Sequence, residues 1–188
     1  DIGGVSGNRR GSFNYPIECL DRIKYLNINP DAKPHFNISI EDKLPFYDEF
    51  ECIVATELLE YIDNIDKCFD NFNRLGKIDS ILLLSWPWMN ALHGDYDYDF
   101  KRYSLIYIKK KLDRYGFKIL DFNPNGGFFT VLWDFIHRLH FQKLIKFMPL
   151  RIFIRVFLLL SKHFVIFLDE LFYSSDFVST GYTLVAKK

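Results

Sequence analysis

Asp1-Ile2-Gly3-Gly4-Val5-Ser6-Gly7 decides how the rest of the chain is read. It has the form of a hydrophobic strand end that breaks into a glycine loop. A backbone without Cβ atoms can lie close to a bound ligand, and glycine reaches the left-handed conformations that such a loop needs. An ordinary structural turn carries the same signature, so the weight falls on the residues that come after it in register. The chain opens almost inside this strand and without Met. We therefore expect an N-terminal truncation, with most of the strand lying upstream.

The 188 residues suffice for one domain with a full core and leave room for an appendage. An apolar fraction of 49% with 26% charged residues excludes a disordered chain. A formal net charge of zero argues against a nucleic-acid binder working through bulk charge. Cys19, Cys52 and Cys68 lack metal-type spacing and read as reduced cytosolic thiols. We expect no signal peptide and a cytoplasmic location, peripheral at the inner membrane face.

Outward from the loop, Asn8 to Arg22 is polar with no helical period. Lys24-Tyr-Leu-Asn-Ile-Asn29 alternates and stops at Pro30, as a strand would. Phe36 to Ile40 is a second short strand candidate, and Phe50 to Ala55 a buried one. Cys68, Phe69, Phe72 and Leu75 recur at helical spacing over 66–75. The apolar run Ser80-Ile-Leu-Leu-Leu-Ser85 fits a central strand buried on both faces. Ser104 caps an amphipathic helix that Gly116 closes. Phe117 to Phe122 and Gly181 to Ala186 are the last two strands. Strands alternating with helices predict a three-layer, Rossmann-like α/β fold, with a mostly parallel sheet and an antiparallel last strand.

Residues 128–176 break this rhythm within what is otherwise a single domain, 1–188. The stretch is dense in Phe, Leu and Ile, and over 134–162 it carries six Lys/Arg against one acid, Asp134. Pro149 divides it. Arg151, Arg155 and Lys162 fall at spacings of four and seven, one narrow basic stripe on an otherwise apolar helix. It is too interrupted to span a membrane. Three readings are open: an interfacial helix at anionic head groups through 134–168, packing on a partner or a second copy, and internal core.

Taken together, these residues resemble the class I S-adenosylmethionine-dependent methyltransferases of the type 11 kind. More narrowly they are similar to a bacterial group found among surface-polysaccharide and glycan biosynthesis functions. The glycine loop matches D-x-G-x-G-x-G, with Val5 in place of the middle glycine. Tyr25-Leu-Asn-Ile-Asn29 matches the second strand, with Asn29 where an acid normally holds the ribose. Glu41-Asp-Lys-Leu-Pro-Phe46 resembles the adenine-lining segment, with Asp42 as first choice and Glu41 as reserve. Phe50 to Ile62 resembles F-D-x-V-x-x-x-E-x-L-E-H-[VI], with Tyr61 for the His. Arg74-Leu75-Gly76-Lys77 resembles the R-x-L-K-P-G-G turn without its proline and paired glycines. Pro87…His93-Gly94…Asp99-Phe-Lys-Arg102-Tyr-Ser104 matches the narrower group, as do Gly126-Gly127 and the closing Gly181-Tyr-Thr-Leu-Val-Ala-Lys187.

The resemblance implies S-adenosylmethionine as cofactor, held by Asp1, Gly3, Gly4, Gly7, Asn29, Asp42 and Glu57. It implies methyl transfer to a hydroxyl of a glycan or lipid-linked saccharide, near the inner membrane face. His93 is the candidate catalytic base by its titration range, against a loop histidine bonded to backbone. Tyr98, Asp99 and Arg102 are candidates for the acceptor pocket, although Asp99 and Arg102 also read as a structural ion pair. Trp86, Trp88, Tyr96 and Tyr98 are candidates to stack on a sugar face. Cys52 reads as core. His137 and His140 lack a third ligand, so no metal is expected. The alternative is a catalytically degenerate methyltransferase-like module used in binding or assembly, to which Val5, Asn29, Tyr61 and the Arg74 turn point. A nicotinamide enzyme fits less well, because no helix comes directly after the glycines.

Overall fold

The computed structural model describes residues 1–5, 17–90, 98–99, 101–141, 147–172 and 178–188. Four strands form the sheet: β1 (Phe50–Thr56), β2 (Gly76–Pro87), β3 (Lys118–Pro124) and β4 (Gly181–Lys187), in the order β1-β2-β4-β3. β1 and β2 are parallel, while β4 runs antiparallel to both β2 and β3. The expected antiparallel last strand is therefore present, wedged between the other two.

The N-terminal residues extend the order beyond β1. Ile2 donates its amide to the Val54 carbonyl at 2.8 Å, and single parallel bridges join Ile2 to Leu26 and Leu26 to Phe36. The strands expected at 24–29 and 36–40 are thus reduced to one bridging residue each, Leu26 and Phe36. Asn27 and Asn29 use their side chains to fold local turns, which competes with ladder formation. The polar stretch after the loop also departs from expectation, since Ile17–Arg22 forms a 3₁₀ helix.

Helix α1 (Ile65–Leu75) starts at Asn64, whose carboxamide accepts from the Lys67 amide. It buries the predicted stripe Cys68, Phe69, Phe72 and Leu75. Helix α2 (Leu105–Arg114) is capped as expected by Ser104, which accepts from the Tyr107 amide. It ends at Gly116 with φ +77°, a left-handed position suited to glycine. α1 and α2 are stapled by Asp66, which accepts from Lys111 at 2.6 Å and from the Tyr115 hydroxyl at 2.8 Å. Their apolar sides join Ile53, Ala55, Leu82, Leu84, Trp86, Tyr182, Leu184 and Ala186 in one core. The opposite residues of the strands, among them Ile81, Leu83, Thr183 and Val185, are half-buried. The second helical layer of the expected three is not among the described residues.

Two expectations are corrected here. Cys52 is exposed, because Asp1 and Ile2 reach only Val54 and leave the start of β1 with an open edge. That edge borders a cavity of about 570 Å³ shared with Arg22, Lys24, Phe36 and Lys77. Trp86 is wholly buried; its indole donates to the Tyr103 carbonyl at 2.9 Å and its ring packs on Tyr182, so it is core and cannot stack on a sugar.

The region that broke the rhythm folds as two helices, α3 (Phe128–Phe141) and α4 (Met148–Phe172). Pro149 sits in the first turn of α4, where a missing N–H costs nothing, and so does not divide a helix. Asp169 on α4 anchors the start of α3. Its carboxylate accepts from the amides of Gly127, Phe129 and Thr130 at 2.8–2.9 Å and from the Thr130 hydroxyl. Burial alone would raise its pKa, but these donors hold the carboxyl below its ordinary value. Asp169→Ala would orphan several buried donors, and we expect it to lower stability by about 2–3 kcal/mol. Chemical denaturation checks this; unchanged stability would mean that the anchor is incidental.

Candidate active site

The site is built where Asp1-Ile2 runs out beside the end of β1. The Gly3 amide donates to the Leu26 carbonyl at 2.8 Å, which turns the chain away from the sheet. Gly3 has φ +76°, and a Cβ there would sit 3.2 Å from Leu58 Cδ1. At Gly4 a Cβ would meet the Asp1 carboxylate at 2.5 Å, so that carboxylate lies folded beneath the loop. The Asn27 amide donates to the Gly4 carbonyl at 3.1 Å and holds the loop's far side. Asp1, Gly3 and Gly4 are thus brought together as expected of neighbours. Gly7, Tyr96 and His93 lie outside the described residues.

Asn29 and Asp42 lie on the Leu26 and Phe36 side. The Asn29 side-chain oxygen accepts from the Asp31 amide at 2.9 Å and caps the Pro30–Ala32 turn. The oxygen that occupies the place of the family's ribose-holding acid is therefore already engaged. Of the two acids considered for the adenine, the Glu41 carboxylate accepts from the Asp63 and Asn64 amides and ties that loop down. Asp42 is exposed, with its backbone carbonyl held by Asn71 at 2.8 Å.

Glu57 stands one residue beyond Thr56, the last residue of β1, and has φ +49°. A left-handed conformation in a residue with a Cβ stores strain of roughly 1–3 kcal/mol and persists only where surrounding structure enforces it. Here the Glu57 amide donates to the Ser85 carbonyl at 3.0 Å, and the Ser85 hydroxyl donates to Glu57 Oε1 at 2.7 Å. The next residue, Leu58, is the one that Gly3 touches. Strained strand end and glycine loop therefore face each other across adjacent strands.

Behind Glu57 lies a buried polar cluster. Arg102 grips Asp99 through both guanidinium nitrogens and also donates to the Lys101 carbonyl at 2.8 Å. Asp99 is 1% exposed. The pair raises the Arg102 pKa, chiefly through the hydrogen bond to Asp99. Lys101 clamps the carbonyls of Ile62 and Asp63 at 2.6 and 2.7 Å, locking this segment against the turn after β1.

Glu60, which sequence reasoning passed over, is also 1% exposed. Burial pushes its carboxyl up to about 8; a backbone hydrogen bond opposes the shift, and Glu57 and Asp99 reinforce it. Its signal was the second acid of Glu57-Leu-Leu-Glu60. The same burial and charges raise the Tyr61 hydroxyl. Tyr98 is 63% exposed at the rim, and Trp88 is half-buried against the core.

No family model matches the chain, and no curated protein matches it. Solved structures do. A SAM-dependent methyltransferase of Methanosarcina mazei superposes with a TM-score of 0.55 at 11% identity, over 100% of this chain and 90% of its own. The phosphoethanolamine N-methyltransferase 2 of Haemonchus contortus, solved with phosphomonomethylethanolamine and S-adenosylhomocysteine, gives 0.53 at 12% identity. It is covered over 47% of its length, so this chain spans about half of it, while 100% of this chain is matched. A SAM-dependent methyltransferase of Archaeoglobus fulgidus gives 0.50 at 16% identity, over 87% of this chain and 75% of its own. The chain has the fold of the class I S-adenosylmethionine-dependent methyltransferases.

Proposed function

We propose that this protein transfers the methyl group of S-adenosylmethionine to a hydroxyl of a glycan or lipid-linked saccharide. The observation that carries the reading is the juxtaposition of the Gly3-Gly4 loop with the strained Glu57 at neighbouring strand ends. Open α/β sheets bind their ligands at such carboxyl ends. The residues present fit the cofactor at the loop, where bare backbone lies over the Asp1 carboxylate, and at Glu57, whose exposed carboxylate suits a cationic amino group. Asp42 offers an exposed carboxylate for the adenine amine. Asn29 fits less well, with its oxygen engaged.

The cofactor supplies an activated methyl on a sulfonium whose leaving group is already good. The chain's part is alignment and exclusion of water, and proximity can contribute up to roughly 7–11 kcal/mol. Asp1, Gly3, Gly4 and Gly7 would hold the methionine part, and Glu57 its amino end. His93 would take the acceptor hydroxyl's proton, the general-base role that an imidazole can fill. Asp99 and Arg102 hold the acceptor side rigid, and Tyr98 offers an exposed ring to a sugar face.

The engaged Asn29 oxygen favours a second reading, a methyltransferase-like module that binds without turnover. Calorimetry with S-adenosylhomocysteine separates the two from a protein lacking the site. Micromolar binding is expected; silence at millimolar ligand would end the transferase reading. Binding without methylation of any saccharide acceptor would select the module.

A further inference from the structure

α4 presents two stripes to solvent. Leu150, Phe153, Phe157, Leu160, Phe164, Phe167 and Leu171 recur at alternating spacings of three and four, and all are exposed, Leu160 and Phe153 at 77% and 68%. The residues that meet α3 lie elsewhere on the helix: Leu158 and Asp169 are buried, and Ser161 accepts from the Trp133 indole at 3.1 Å. The apolar stripe therefore faces away from its own chain. Arg151, Arg155 and Lys162, all exposed, fall on the far side of the helix from the centre of this stripe, next to Ile152 and Ile166, which are exposed too. On α3, Phe128, Leu132 and Phe135 are exposed at spacings of four and three.

We infer that the α3–α4 hairpin docks on an anionic lipid surface, its Phe/Leu stripe in the acyl boundary and its basic face at the head groups. Charge favours lipid over other occupants. Among the acids of the hairpin, Asp169 is consumed in anchoring α3 and Asp134 is half-buried, so before Glu170 the exposed charges of α4 are basic. A second copy of this chain would need a narrow seam flanked by charges that set pairing and register. Here the positions flanking the stripe are Ile154, Val156, Ser161, His163 and Leu168, with Glu170 the one acid at its end, and exposed Ile152, Val156 and Ile166 broaden the apolar face. A wide apolar arc with basic residues on the opposite face is the pattern of helices lying in a membrane interface. Among the described residues no helix is long and apolar enough to cross a membrane, so the contact is peripheral.

Position in the fold gives this surface a use. β3 is parallel to β1, since β4 runs against both β3 and β2, and the hairpin leaves after Pro124 at the carboxyl end of β3. That is the end of the sheet where Glu57 stands. Docking would bring the bilayer to the side of the sheet where the proposed reaction takes place. The inference itself does not require methyl transfer.

Co-sedimentation of the full chain with phosphatidylcholine vesicles, with and without phosphatidylserine, tests it. Binding is expected only with phosphatidylserine, and should weaken as salt rises. Arg151→Glu/Arg155→Glu/Lys162→Glu should reduce partitioning by about 100-fold or more, since each basic residue contributes roughly fivefold. Phe153→Ser/Leu160→Ser/Phe164→Ser should abolish it, with circular dichroism confirming the fold because all three side chains are exposed. Equal partitioning of the wild type and the charge-reversed variant would overturn the proposal. So would absence of vesicle binding together with a dimer that the serine variant dissolves, which would assign the stripe to a second copy.

Discussion

Gly3→Val is expected to bring S-adenosylhomocysteine binding below detection, a loss of at least about 100-fold. Gly3 has φ +76°, and a β-branched residue there costs roughly 1–3 kcal/mol in backbone strain alone, equivalent to about 10- to 100-fold in affinity when relieving it moves the loop. The added Cβ would stand 3.2 Å from Leu58 Cδ1, inside normal contact, and valine's γ-carbons would crowd the face proposed to approach the cofactor. Leu58 cannot retreat freely, because Glu57 before it is fixed to Ser85. Gly4→Ala is the informative contrast. The atoms its Cβ would meet first belong to the Asp1 carboxylate, the end of a side chain rather than backbone, so the loop should survive with a smaller loss. Calorimetry on both variants reads the difference. A valine variant that binds like the wild type would show that the loop is a structural turn and nothing more.

How much of this was legible in the sequence varies with how local the determinant is. α1, α2, β1, β2, β3 and β4 were readable because each carries its own pattern: the Cys68-Phe69-Phe72-Leu75 stripe, the Ser104 and Gly116 caps, the Ser80–Ser85 run. The strands at 24–29 and 36–40 shrink to the single bridging residues Leu26 and Phe36 because alternation says nothing about competing side chains, and Asn27 and Asn29 bond to nearby backbone amides instead. Cys52 alternates like a core residue, and only the extent of pairing along β1 reveals that it faces an open edge. Trp86 could serve a sugar or a core equally well on sequence; the depth of β2 between β1 and β4 decides it. Within the site, Gly3, Gly4 and Glu57 were named from motif positions, and the structure adds what no motif states, that Glu57 is strained and lashed to Ser85. Glu60 was missed because a buried acid is indistinguishable in sequence from a solvated one.

Glu60→Gln is expected to change how stability depends on pH. The carboxyl is pushed from 4.5 to about 8, foremost by burial, so the folded state holds a proton that the unfolded state releases. A raised folded pKa contributes stability that is complete below about pH 4.5 and is lost as pH climbs toward 8. Across that window the wild type should lose about 1.4 kcal/mol per pH unit from this group. The amide of glutamine does not titrate, so the variant should lack that slope and overtake the wild type at the alkaline end. Denaturation at pH 5.5, 6.5, 7.5 and 8.5 measures the two profiles; parallel curves would show that Glu60 is ionised in the fold. Arg102 supplies the control. Asp99 beside it is buried and charged, so Arg102→Ala should cost about 3–5 kcal/mol, the usual penalty for abandoning one member of a buried pair. That change removes the ion pair and leaves the titrating carboxyl of Glu60 in place, so the wild-type slope should remain in this variant. A cluster of one neutral acid and one ion pair buries less charge at neutral pH than three ionised groups would impose.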